Sequence, residues 1–189
     1  VFFASVIAFT FLLVAPLSHL AGFSFWRFLK YIREEIVIAF ATTSSETVLP
    51  SLMRKLERLG VSEAVGGVGV PAGYSFNLCG TNIYMTLALL FLAQVTNTHL
   101  TLTQELTILA ITMLTSKGAA GVSGAGFVVL AATLTMVPSI PIESLGLLLG
   151  IDRIIAIGRT LTNFVGNGAA AIIIGRWENE VDKRKMNAI

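Results

Sequence analysis

Charge is scarce in this sequence. Only 13% of its 189 residues are Asp, Glu, Lys or Arg and 54% are hydrophobic, whereas a soluble domain carries about 25% charged residues. With a mean hydropathy of +0.80, this scarcity excludes an ordinary soluble fold and points to an integral membrane protein. The charge that exists is clustered at Arg27 to Glu35, Arg54 to Glu63 and Arg176 to Lys185. The net +2 therefore belongs to membrane-flanking clusters and carries no signature of nucleic-acid binding. Cysteine is nearly missing as well: Cys79 stands alone, so no internal disulfide can form. The sequence holds no nucleophile–base pair and no metal-ligand cluster, which makes a membrane enzyme the least favoured class. An initiator Met and a signal peptide are also missing. The chain opens in an apolar run from Val1 to Leu17, as expected of the C-terminal part of a longer protein.

The gaps in charge delimit the segments. Residues 1–20 are uncharged, and 36–53 are apolar around Thr42-Thr-Ser-Ser-Glu-Thr47. Residues 64–104 hold no charged side chain, and 105–142 hold only Glu105 and Lys117. Residues 144–175 carry Asp152, Arg153 and Arg159. Arg27, Lys30 and Arg33 precede the 36–53 segment, and Arg54, Lys55 and Arg58 follow it. Under the positive-inside rule both flanks are cytoplasmic, so the segment enters and leaves on one side as a re-entrant hairpin with its tip at Thr42 to Thr47. The ends of the 105–142 segment lack basic residues, which fits a second hairpin from the outside with its tip at Ser116 to Gly126. The alternative there is a loop joining two full spans, but each half looks too short to cross alone. The expected order is the end of a transmembrane helix (1–22), re-entrant hairpin 1 (23–60), an interrupted transmembrane helix (61–98), re-entrant hairpin 2 (99–142), a final transmembrane helix (143–176) and a cytoplasmic tail (177–189). The fold class is all-α integral membrane: an inverted-repeat transport domain with two re-entrant helical hairpins and broken transmembrane helices, an architecture of secondary transporters.

Ionisable groups at bilayer depth cost roughly 3 kcal/mol each on insertion scales and persist for function. Asp152, Arg159 and Asn163 follow one another at offsets of 7 and 4, close to one stripe of a helix. Four polar islands interrupt apolar segments near their midpoints: Thr42 to Thr47, Asn77-Leu-Cys-Gly-Thr81, Ser116 to Gly126, and the stripe from Asp152 to Asn167. Hairpin tips start half-helices whose free N–H groups and dipole attract anions. Arg159 adds a planar fork that grips a carboxylate with two bonds. The expected guest is an anion. Of the remaining polar residues, Lys117 suits snorkelling, Arg153 a structural or interfacial place, and Arg176 with Trp177 an interfacial anchor. His19 and His99 sit at segment ends. Glu46 fits either a helix-start charge or a proton carrier.

In this order the four islands resemble the dicarboxylate/amino acid:cation symporter family, the glutamate transporter homologues. The resemblance covers essentially all of residues 1–189 and would correspond to the end of the sixth helix, the first hairpin, the seventh helix, the second hairpin and the eighth helix. It is carried by Thr43-Ser-Ser-Glu-Thr-Val-Leu-Pro50, Gly73-Tyr-Ser-Phe-Asn-Leu-Cys-Gly-Thr81, Ser116-Lys-Gly-Ala-Ala-Gly-Val122 and Gly150-Ile-Asp-Arg with Gly158-Arg-Thr-Leu-Thr-Asn163. It implies that Arg159 holds the distal carboxylate of a substrate, with Thr160, Asn163, Thr81, Ser45 and N–H groups at Val122 and Gly126 holding the rest. It implies sodium sites at Gly73, Ser75, Asn77, Ser116, Asn163 and Asn167, with Asp152 in support. The coupling cation would be Na⁺ or H⁺, and no organic cofactor is implied. It also implies a homotrimer in the inner (cytoplasmic) membrane, scaffold helices N-terminal to this region, and inactivity of a product truncated to this length. Three positions depart from the pattern. Ala156 stands where amino-acid carriers have an acid for the substrate amine, which favours succinate, fumarate or malate over glutamate or aspartate. Cys79 replaces the acid of the interrupted-helix motif, and Asn167 replaces another acid at a cation site. An anion channel lined by the arginine stripe is the rival class, and two opposed hairpins favour alternating access over it.

Overall fold

The structure, a computed structural model, describes residues 1–119 and 121–187. Ala120 of the expected second tip and residues 188–189 of the expected tail lie outside them. The helices in chain order are α1 (Phe2–Phe9), α2 (Ala15–Leu20), α3 (Phe25–Tyr31), α4 (Arg33–Thr42), α5 (Leu49–Arg58), α6 (Val70–Phe76), α7 (Cys79–Val95), α8 (Leu102–Thr115), α9 (Ala125–Leu134), α10 (Gly146–Trp177) and α11 (Lys183–Asn187). A π-helical turn, Thr10–Val14, joins α1 to α2, and a second, Val65–Gly69, leads into α6.

Local chemistry sets the element ends. Thr101 and Gln104 cap α8 reciprocally: the Thr101 N–H donates to Gln104 Oε1 at 2.8 Å, and the Gln104 N–H donates to Thr101 Oγ1 at 3.3 Å. Thr43 ends α4 in the left-handed region at φ 49°. After α2 the chain reverses at Gly22, where φ is +83° and a Cβ would stand 2.6 Å from an Arg176 guanidinium nitrogen. Only glycine fits there, and Arg176 fastens the turn through its Nε–H to the Ala21 carbonyl at 2.8 Å. Among the described residues no strand forms. An isolated bridge between Val61 and Val181 ties the C-terminal segment to the end of α5's loop.

The segments expected to be hairpins are helix–turn–helix units. α4 and α5 flank one tip, and α8 and α9 flank the other. At 14 and 10 residues, α8 and α9 are each shorter than the ~20 residues a spanning helix needs. Among the described residues two stretches are long and apolar enough to cross a membrane: Phe2–Leu20 and Val65–Val95. The second is broken at Asn77 and Leu78, whose backbones leave helical geometry. The expected final span forms as a single 32-residue helix, α10, about 48 Å long at 1.5 Å per residue. It does not qualify as a span by composition, because the polar stripe that marks it also lowers its hydropathy.

Two apolar cores pack on α10. One joins α3, α4, α5 and the turn before α6 to Phe164, Ala169 and Ile172 on its later half. The other joins α7, α8 and α9 to Leu148 on its first half. Residues 156–160 of α10, with Arg159 and Thr160, lie between these cores, so each hairpin packs on a core of its own. Large apolar side chains stay exposed on the outside, including Ile7, Leu12, Leu106, Leu114 and Ile154. Such a surface suits lipid or a protein neighbour.

Candidate functional site at the meeting of the two tips

The two tips touch. The Ser45 N–H donates to the Gly121 carbonyl at 2.9 Å, and the Ser44 hydroxyl donates to the same oxygen at 3.0 Å. In return the Gly121 N–H donates to Glu46 Oε1 at 3.0 Å. Thr43 Oγ1 donates to Ser123 Oγ at 2.9 Å, and Arg153 donates to that hydroxyl at 3.2 Å. Tyr74 of α6 joins from below, its hydroxyl donating to the Ser45 carbonyl at 3.0 Å. Ser45 is therefore brought to the site, but its N–H is spent on the opposite tip. Glu46 settles on the Gly121 amide. Arg153, read as structural or interfacial, bonds to the second tip.

α10 threads under this contact. Thr160 Oγ1 donates to the Thr43 carbonyl at 3.2 Å, which ties α10 to the first tip. Asn163 caps a neighbouring helix. Its Oδ1 accepts the N–H groups of Gly80 at 2.8 Å and Thr81 at 3.3 Å, and its Nδ2 donates to Thr81 Oγ1 at 2.8 Å. Leu78 precedes α7 and has no side-chain acceptor, so the amide of α10 caps α7 from across the bundle. One Nδ2 proton of Asn163 stays uncommitted in this set. Gly80 makes the approach possible, since a Cβ there would lie 2.6 Å from the Arg159 carbonyl oxygen.

Arg159 is the most telling group. It is only 4% exposed. Its guanidinium lies over the Tyr84 ring, 5.6 Å from the centroid, and the Tyr84 hydroxyl donates to Asp152 Oδ1 at 2.8 Å. Asp152 thus holds the ring that cradles the arginine. Sequence reasoning missed Tyr84. The signal available was an aromatic in the uncharged 64–104 stretch, able to face an acid at the same depth. Gly126, second residue of α9, is pressed against the guanidinium, and a Cβ there would fall 1.3 Å from Arg159 Nη1. Among the described residues the guanidinium has no hydrogen-bond acceptor, and its Nη1 edge lies beside the start of α9. That start has no side-chain cap, because Gly124 precedes it at φ +82°. Val122 is 41% exposed and lies on the rim.

The expected cation ligands divide into two places. Gly73 packs its Cα on Asn167, where a Cβ would meet Oδ1 at 1.8 Å, and Asn167 Nδ2 donates to the Val70 carbonyl at 3.1 Å. The Gly73 carbonyl accepts the Asn77 N–H at 2.7 Å, and Asn77 Oδ1 accepts the Cys79 thiol at 3.0 Å. Ser75 is exposed, while Ser116 is fully buried and donates to the Met113 carbonyl at 3.2 Å. The two serines flank a different contact: Lys117, next to Ser116, donates to the carbonyl of Phe76, next to Ser75. A cavity of about 620 Å³ lined by His19, Phe23, Trp26 and Met186 shares no residue with this site.

The model of the sodium:dicarboxylate symporter family matches residues 1–177. The C4-dicarboxylate transport protein of Paraburkholderia xenovorans is 56% identical over 187 residues, 99% of this chain and 44% of that protein. C4-dicarboxylate transport protein 1 of Ralstonia nicotianae is 54% identical over 98% of this chain and 43% of its own length. The C4-dicarboxylate transport protein of a Geobacter species is 52% identical over 100% of this chain and 43% of its own length. The chain thus spans less than half the length of the curated relatives it matches. With two opposed helical tips, a buried arginine and broken helices around it, the chain belongs to the sodium:dicarboxylate symporter family.

Proposed function

We propose that this chain forms most of the substrate-carrying part of a secondary active symporter, which moves C4-dicarboxylates such as succinate, fumarate and malate across the cytoplasmic membrane with Na⁺ or H⁺. One observation carries the reading: the Arg159 guanidinium is buried at 4% exposure with no acceptor of its own. Its counter-charge is Asp152, held on the hydroxyl of the Tyr84 ring beneath it, and an arriving carboxylate adds the bidentate pair that the planar fork can make. A four-carbon diacid presents a second carboxylate. The start of α9 beside Arg159, which has no side-chain cap, and the spare Asn163 proton are the donors offered to it, with Thr160, Thr81, Ser45 and Val122 as further candidates.

Ala156 lies one turn before Arg159 and is 3% exposed. It offers nothing to an ammonium, which supports a plain dicarboxylate, and the names of the relatives point the same way. For the coupling cation, Gly73, Asn77 and Asn167, which touch one another around the end of α6, are the candidate Na⁺ ligands, with Ser75, Ser116, Asn163 and Asp152 proposed beside them. The basic flanks of 36–53 put hairpin 1 on the cytoplasmic side, and hairpin 2 enters from the other. Parting of the tips toward either side then gives alternating access. Scaffold helices outside this region and a trimeric assembly complete the carrier.

The test is uptake of labelled succinate by cells making the complete protein. Arg159→Ala abolishes uptake at unchanged membrane abundance, and Arg159→Lys loses at least tenfold because an ammonium cannot form the planar fork. Uptake at the wild-type rate by Arg159→Ala would overturn the assignment.

A further inference from the structure

α6 stops at Phe76 and α7 starts at Cys79, with Asn77 and Leu78 in non-helical backbone between them. A helix that stops leaves its last carbonyl oxygens without intrahelical donors, and that end carries partial negative charge. Irregular backbone in a membrane is tolerated where protein or a water-lined cavity meets it, and here the exposed end of α6 is met by a donor from the chain itself. The whole stretch 64–104 has no charged residue, so any counter-charge has to come from another part of the chain. It comes from the second hairpin. Lys117, in the 3₁₀ turn Ser116–Gly118 that follows α8, donates its ammonium to the Phe76 carbonyl oxygen. Lys117 has no carboxylate partner among the described residues.

Two neighbouring oxygens of the break have neutral donors. The Gly73 carbonyl takes the Asn77 N–H at 2.7 Å, and Asn77 Oδ1 takes the Cys79 thiol at 3.0 Å. Among the described residues, the positive group at this pole is thus covalently part of the chain. A lysine ammonium and a sodium ion ask the same thing of a carbonyl oxygen, which is a lone pair facing a monovalent cation. We infer that Lys117 is a tethered cation: its ammonium occupies the carbonyl pole at the end of α6, beside Ser75 and Ser116, in place of a free Na⁺. The inference rests on the symport reading above and narrows it. Coupling through this lobe needs no ion from solution, so the carrier uses one Na⁺ fewer than a form lacking the lysine.

The complete protein, purified in detergent, is melted across a NaCl series balanced with choline chloride, with and without succinate. Each Na⁺ bound only by the folded state multiplies the folded-to-unfolded ratio by about ten per tenfold rise in Na⁺ above its Kd. Lys117→Met exposes the pole, so its melting temperature climbs more steeply with Na⁺ than the wild type's, by the slope of one ion. Lys117→Gln keeps a donor for Phe76 without the charge and gains the same slope; it serves if the Met variant fails to fold. Lys117→Arg, which keeps the charge, retains the wild-type slope. Equal slopes in the wild type and both neutral variants overturn the inference. So does an equal drop of both neutral variants in NaCl and choline, which makes Lys117 a helix cap and nothing more. Succinate stabilisation in the same samples reports the Arg159 site separately: its absence with the salt pattern intact sinks the dicarboxylate reading and leaves the tethered cation standing.

Discussion

Gly126 and Arg159 share one volume, and only a residue without a Cβ leaves room for the guanidinium. With Nη1 1.3 Å from where a Gly126 Cβ would lie, Gly126→Ala must evict Arg159 from its place over Tyr84. Succinate binding by the complete protein is expected to fall at least tenfold, ~1.4 kcal/mol, while helix content by circular dichroism stays unchanged. Gly150 is the contrasting position, an exposed α10 glycine whose added Cβ meets nothing within 4 Å. Gly150→Ala is expected to leave succinate binding intact and raise stability by ~0.5–1 kcal/mol through helix propensity. A tenfold loss at both positions, or at neither, would show that the close approach at Gly126 does not hold the arginine in place.

At the scale of elements, two contacts decide how the helices are held. The Asn163 amide caps α7, so Asn163→Leu strands the N–H groups of Gly80 and Thr81. Each orphaned donor costs ~1–3 kcal/mol. Thr81→Val removes only the bond to Nδ2 and costs ~1 kcal/mol; a denaturant series that ranks the two variants the other way contradicts the capping role. The second contact clamps the base of hairpin 1, outside both candidate spans. Lys55 donates to Glu35 Oε2 at 2.7 Å and Ser51 donates to Oε1 at 2.7 Å. Burial by itself pushes the Glu35 carboxyl up, but the bonds from Lys55 and Ser51 outweigh it and hold the group below its ordinary 4.5. A carboxyl lowered in the folded state adds stability above the unfolded pKa, and that stability is lost as pH falls through the folded value. Melting temperatures of the wild type are therefore expected to drop on acidification below about 4.5, and Glu35→Gln is expected to start lower and flatten this drop. An unaltered acid limb in the variant would remove Glu35 from the pH response.

At the scale of the whole molecule, the sequence announced the parts better than their partners. Gaps in charge delimited both helix–turn–helix units, and the polar island Asn77 to Thr81 with its family resemblance marked the break, because in an apolar environment each polar residue needs a reason to be there. The stripe from Asp152 to Asn167 was legible for the same cause, and Arg159 is where its spacing placed it. What stayed hidden depends on the docking of one tip against the other. That Glu46 would meet the Gly121 amide, that Arg153 would reach Ser123 and that Asn163 would cap α7 are contacts across 75, 30 and 83 residues. No local period encodes them. Tyr84 escaped notice since an aromatic in an apolar helix looks like core until Asp152 is seen beside it. Ala156 remains the position where the sequence speaks for the entire carrier, because it is defined by what is missing between the tips and Arg159. Competition against labelled succinate uptake by the complete protein, with and without Na⁺, reads it directly. Aspartate is expected to compete at least tenfold more weakly than fumarate, as its ammonium finds no acceptor and must be stripped of water to enter. Ala156→Asp should narrow that gap by weakening fumarate and admitting aspartate, for a carboxylate one turn from Arg159 repels a second diacid charge and pairs with the amine. Aspartate competing as strongly as fumarate in the unmodified protein would reassign the carrier to amino acids.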